Sequence, residues 1–193
     1  MISNEKIEKN KKKFLETNEK YNIFSKELQE FLGEDFFYVP ASTSTDSYGC
    51  YLGGLLDHLL KVCKYCIQIN DLLPEGVKQD SALVIKTVFL AQIGKTYLFK
   101  PTENEWYKKN GQLFEYRDST EDPEIIALSV GERSIFYATT HGVKLSGEMY
   151  QAILFSDRES GNRSIRWLAE PLGHILKLGF ELAVLEEKTA KKK

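Results

Sequence analysis

The sequence predicts a mainly α-helical fold that carries one small β-hairpin. Three observations predict it. Apolar residues recur at helical spacing over the first thirty positions. Two further segments of helix length are apolar around most of their circumference. Asn110-Gly111 stands between two aromatic-rich runs, where a hairpin turn with positive φ angles would be tolerated.

The first element is an amphipathic helix over the first thirty residues, with Ile7, Phe14, Tyr21, Phe24, Leu28 and Phe31 recurring at helical spacing and Lys and Glu between them. Ser3 is its expected N-cap and Gly33 its expected stop. The run Lys11-Lys12-Lys13 is flanked by Glu5, Glu8, Glu16 and Glu19, which marks a solvated face rather than a basic patch. Phe36-Phe37-Tyr38-Val39-Pro40 leads into loop composition, Ser42 to Gly49. Gly53 to Asn70 then carries Leu55, Leu56, Leu59, Val62, Cys63, Cys66 and Ile67, the pattern of a central helix. Leu73-Pro74-Glu75-Gly76 is a turn, and Ser81 to Ile93 is a second buried helix. The hairpin is expected around residues 104–117, followed by an acidic loop at 119–123. Gly131–His141 and Ser146–Phe155 are two shorter helices, and Arg166–Glu187 is a long closing one. Three units follow from this order. Residues 1–33 form an N-terminal helical extension packed on the body, residues 34–187 form the domain, and residues 188–193 form a frayed lysine-rich tail.

Length and composition narrow the function. A chain of 193 residues buries about 70% of its unfolded surface and needs neither disulfide nor metal to hold a core. Hydrophobic residues make up 42% and charged residues 28%, the balance of a globular protein. With 26 basic against 28 acidic side chains there is no overall positive field to hold nucleic acid, so such binding needs a local patch. No apolar run reaches a membrane span, and Met1 to Lys6 lacks the apolar stretch of a secretory signal, so neither membrane nor secretion is expected. Three cysteines, an odd number, fit a reducing cytoplasm.

The string Gly53-Gly54-Leu55-Leu56-Asp57-His58-Leu59-Leu60-Lys61-Val62 resembles the HD-domain superfamily of metal-dependent phosphohydrolases, closest to the single-domain members of phages and prophages. The resemblance covers about residues 20–187 and adds four stretches in the same order. They are Phe36 to Thr43, Ile93-Gly94-Lys95 with Tyr97, Phe99, Lys100 and Pro101, Gly131 to Ile135 beyond the Asn-Gly turn, and Lys144 to Ile153. It implies an HD-like helical bundle. That family's site needs a first His, a contiguous His-Asp pair on a second helix, and a distant Asp on a later one. By the resemblance His58 matches the first His, Ala91-Gln92 stand at the dyad, and Phe180, with Glu181 beside it, stands at the last aspartate. A further His of many relatives is absent from Leu154-Phe155-Ser156-Asp157. Alanine has no donor atom and glutamine offers only a neutral carbonyl, so at most one of four ligands remains. The resemblance therefore implies a pseudoenzyme with no metal and no cofactor. A shifted site built from His58, Asp57, Asp157 and Glu181 is the alternative.

Other constellations weigh less. Cys63 and Cys66, three apart, read as small residues on a buried helix face. His141 reads as a helix end and His174 as structural. Lys95, Arg158 and Arg163, with Lys100 and Arg166, form the best local basic cluster for a phosphate or other anion. Trp106, Tyr107, Phe114 and Tyr116 on the hairpin are candidates for a protein interface. The expectation is a non-catalytic, phage-type accessory protein in the cytoplasm of an infected host, bound to a protein partner or to itself. The alternatives are a nucleotide phosphohydrolase with atypical ligands and a nucleotide or nucleic-acid sensor.

Overall fold

The computed structural model describes residues 3–117, 128–156 and 170–190. The fold is mainly α-helical. The order is α1 (Asn4–Tyr21), α2 (Lys26–Leu32), α3 (Asp35–Tyr38), α4 (Gly54–Leu72), α5 (Ser81–Leu90), a 3₁₀ turn (Ile93–Lys95), β1 (Phe99–Pro101), α6 (Glu105–Lys109), β2 (Phe114–Tyr116), α7 (Val130–Thr140), α8 (Gly147–Ser156) and α9 (Pro171–Ala190). No helix among the described residues is long and apolar enough to cross a membrane.

The expected first helix is two helices. Ser3 caps α1 as anticipated, its side chain accepting from the Lys6 N–H. The chain then turns at Asn22, in the left-handed region at φ 47°, and restarts behind Ser25, which caps α2 through the Leu28 N–H. Asn18 pins the break, its side-chain oxygen accepting from the Phe24 N–H at 2.8 Å. The break turns Phe24 inward beside Phe14. Phe14 touches Phe24, Phe36 and Phe89 at ring separations of 5.0, 5.4 and 5.1 Å, within the range of favourable aromatic pairs. Phe14, Phe24, Leu28 and Leu32 thus share one core with α3, α4 and α5.

The two long helices α4 and α9 form the spine. They run antiparallel. His58, early in α4, meets Glu187, late in α9, while the Cys66 thiol faces the Ile175 carbonyl near the start of α9. Gly179 permits the approach, since a Cβ there would stand 2.2 Å from the Cys66 Sγ. Cys63 and Cys66 are free thiols, Cys66 fully buried, in keeping with their reading as core residues.

The small sheet is present, but its turn is not the expected one. β1 pairs antiparallel with β2, Phe99 opposite Tyr116 and Pro101 opposite Phe114. The partner strand therefore lies upstream of the first aromatic run. Trp106 and Tyr107 sit on α6, because the Asn104 side chain accepts from both of their N–H groups and caps a helical turn. Gly111 does take a positive φ of 78°, but it ends α6 rather than joining two strands. Phe114 is buried, so it packs inward instead of facing a partner.

Candidate functional site

The site forms where the loop before α4 crosses the helix start. Gly53 adopts φ 76° and Gly54 lies so close to the loop that a Cβ would meet the Gly49 carbonyl oxygen at 2.0 Å. Only glycines allow this crossing. It lays the Tyr48 ring against the His58 ring, 4.3 Å between centroids, and aims the Gly49 N–H at Glu187.

His58 is fully buried. Its Nδ1 lies 2.9 Å from the Glu187 Oε1, its Phe180 neighbour stands 5.8 Å away ring to ring, and its Nε2 is buried without a hydrogen-bond partner. Burial pulls the imidazole pKa down against the opposing pull of Glu187, and Lys95 and Lys61 push it down further. His58 is therefore neutral at pH 7. Its Nδ1–H donates to Glu187, leaving the Nε2 lone pair in the dark.

Both nearby carboxylates are saturated by the chain itself. The Glu187 Oε1 accepts from His58 and from the Lys61 ammonium at 3.0 Å, and its Oε2 accepts from the Gly49 N–H at 3.0 Å. The Asp57 Oδ1 accepts from Lys6 at 2.9 Å and Asn10 at 3.0 Å, while its Oδ2 takes the Tyr51 hydroxyl at 2.8 Å and Lys61 at 3.2 Å. Burial would raise Asp57, but Lys6, Tyr51, Lys61 and Asn10 overcome it and hold the acid at about 2. Glu187 is likewise held low, burial being outweighed by His58 and Lys61. The two carboxylates are thus paired with the Lys6 and Lys61 ammonium groups, and none of their four oxygens is left without a donor.

The positions expected around His58 divide. Phe180 touches the imidazole ring. Glu181 lies on the exposed side of α9 and cannot join the site. Ala91 and Gln92 are buried at the end of α5, held to α7 by the Ser134 hydroxyl, which donates to the Ala91 carbonyl and accepts from the Gly94 N–H. The Gln92 Oε1 is buried and without a partner. Lys95 is also buried. Its ammonium donates to the Ala41 carbonyl at 2.6 Å and the Tyr48 hydroxyl at 3.2 Å, which ties it to the ring packed at a tilt against His58. Asp157, Arg158, Arg163 and Arg166 lie outside the described residues, as does the acidic loop at 119–123. His141 ends α7 as expected, its Nδ1 on the Tyr137 carbonyl, and His174 is exposed. On the sheet and α6, Trp106, Tyr107 and Tyr116 are exposed by 66%, 37% and 50%.

The donor set does not fit a divalent metal. Such an ion needs several anionic or imidazole donors converging on one point. Every oxygen of Asp57 and Glu187 is already bonded, Ala91 offers no donor, and Glu181 faces away. Among the described residues no group of three or more His, Cys, Asp or Glu side chains converges to hold one.

Sequence reasoning missed Glu187, Lys61, Tyr48 and Tyr51. It also missed a cleft of about 280 Å³ between α3, the 3₁₀ turn and the sheet. Tyr38, Pro40, Tyr97 and Phe99 line it beside the Arg117 side chain, whose Nε is buried without a hydrogen-bond partner. For Glu187 a signal existed. It falls on the Phe180, Ala183, Val184 face of α9, so a carboxylate there had to be buried. Comparisons with family models, with curated proteins and with solved structures find no match for this chain.

Proposed function

We propose that this chain is a degenerate HD-like protein that has given up metal chemistry and works by binding a macromolecular partner. One observation carries the reading. The Lys61 ammonium bridges Glu187 and Asp57 beside a buried, neutral His58, so a protein cation occupies the electrostatic role a divalent ion would fill. A lysine in that role neutralises the carboxylates but cannot activate a water or polarise a phosphoryl oxygen. The exposed aromatic group of Trp106, Tyr107 and Tyr116 supplies a surface of the kind that anchors protein partners. The test has two arms. The purified chain, incubated with Mn²⁺ and dialysed, retains no stoichiometric metal and releases no phosphate from nucleotides. A protein captured by the wild type is lost from Trp106→Ala and Tyr107→Ala variants of unchanged stability. Stoichiometric metal or His58-dependent turnover overturns the reading.

A second reading, a sensor of small phosphorylated ligands, is favoured by the Arg117 cleft alone. An arginine with an unpartnered N–H among aromatic side chains suits a phosphate or carboxylate carried on a flat ring. Adenosine monophosphate then raises the melting temperature of the wild type but not of Arg117→Ala. No shift in the wild type dismisses it.

A further inference from the structure

The outer face of α9 carries a leucine stripe. Leu178, Leu182 and Leu185 are exposed by 48%, 39% and 60%. At about 100° per residue, they fall within roughly 60° of one another, and Thr189 extends the line. The face bearing Phe180, Ala183, Val184 and Glu187 points into the core on the opposite side. The 4-then-3 spacing is that of a two-helix seam rather than of a globular core.

The charges beside the stripe select one partner and one direction. Glu181 and Lys188 are exposed on the same flank, seven residues apart. They are about 10 Å apart along the axis, too far to pair within the helix. On the other flank Glu186 accepts from the Tyr65 hydroxyl at 2.5 Å. Against a parallel copy, each Glu181 would face a Glu186, and like charges would repel on both sides. Against an antiparallel copy, Glu181 faces the second copy's Lys188, and the two-fold axis repeats the pair. The same register sets Leu182 against the second copy's Leu185, twice. It also carries the second copy's Leu178 to the Thr189 end. There a groove of about 430 Å³ is lined by Tyr65, Leu182, Leu185, Glu186, Thr189 and Ala190.

We propose that the chain self-associates into a two-fold dimer by antiparallel pairing of α9, with Leu182 and Leu185 at the centre and reciprocal Glu181–Lys188 ion pairs at the rim. This does not rest on the function proposed above, whose surface is α6 and the sheet. A single helical seam of this length covers less than the ~800 Å² per partner of a standard stable interface, so the dimer is a weak one. Sedimentation velocity across about 5 to 500 µM, the span in which such an interface dissociates, reads it directly. The wild type shifts from monomer towards dimer with concentration. Leu185→Glu remains monomeric throughout. Glu181→Lys weakens association at least several-fold, and adding Lys188→Glu to it restores association. A wild type that stays monomeric, a dimer indifferent to Leu185→Glu, or a charge-swapped double variant as weak as the single one overturns the proposal. Far-UV circular dichroism confirms that each variant is folded.

Discussion

Replacing Glu187 by alanine is the sharpest probe of the closed cluster. The substitution strands three donors at once: the Gly49 N–H, the His58 Nδ1–H and one bond of the Lys61 ammonium. Hydrogen bonds to a charged acceptor are worth about 1.5–3 kcal/mol each where buried. The Gly49 and His58 bonds fall in that class. Lys61 is one-quarter exposed and keeps Asp57, so its share is under about 1 kcal/mol. These terms span about 3–7 kcal/mol, and the usual cost of removing one member of a buried charged pair narrows the expectation to about 3–5 kcal/mol. For a chain of this length each kcal/mol moves the melting temperature by about 2–4 °C, so the midpoint falls by about 6–20 °C. Glu187→Gln keeps one acceptor oxygen and loses about half as much. Urea titration at pH 7.5, followed by far-UV circular dichroism, measures both. His58→Ala, alone and combined with Glu187→Ala, closes the cycle, and the double variant loses at least about 1 kcal/mol less than the two singles summed. A Glu187→Ala loss below about 1 kcal/mol, or strict additivity with His58→Ala, would show that the cluster does not hold the α4–α9 seam.

The same cluster sets a pH dependence. His58, Glu187 and Asp57 all have pKa values below their ordinary 6.5, 4.5 and 3.8, so the unfolded chain binds more protons than the folded one and stability rises with pH. The urea midpoint is therefore flat only between about pH 7 and pH 8, above which the unfolded chain gives up thiol protons that the buried Cys63 and Cys66 retain. It declines as pH falls below 6.5, and declines again below 4.5. His58→Ala removes the first decline, and a midpoint that climbs between pH 7 and 5 contradicts the assignment. Burial pushes the Cys63 thiol up to about 11 and the Cys66 thiol higher still. A thiol reagent at pH 7.5 accordingly labels both slowly in the native protein and rapidly in urea, and fast native labelling of Cys66 contradicts its packing. Gly179→Ala forces its new methyl onto the Cys66 Sγ, 2.2 Å away, and destabilises by about 1–3 kcal/mol. Cys66→Ala clears that space, so the double variant is more stable than Gly179→Ala alone, as thermal melts will register.

Helical periodicity made α4, α5, α7 and α9 legible, because their apolar faces are wide and continuous. The division of α1 from α2 was hidden for the same reason. Phe24, Leu28 and Phe31 keep the rhythm of Ile7 and Phe14 across the break, so the apolar pattern alone runs straight through Asn22. The Asn-Gly signal located a turn correctly and misassigned its neighbours. A local cap at Asn104 made the preceding aromatic run helical, and a pairing across the turn went to Phe99–Pro101 instead. At the site, His58 stood out by its motif. Glu187 did not, since it meets His58 across a sequence separation of 129 residues. No short spacing encodes that meeting, and only the face of α9 on which the carboxylate falls hints at it.

The antiparallel seam of α4 and α9 also bears on how the chain acquires its shape. α4 is apolar around most of its girth, yet the helix that shields it emerges from the ribosome roughly a hundred residues later. Until then Val62, Cys66 and His58 lack their cover, and the Lys61 ammonium has only one of its two carboxylates. Synthesis must therefore carry an unfinished, adhesive intermediate for most of its duration. Any variant that slows α9 docking is expected to show itself first as poor soluble yield rather than as a lowered melting point.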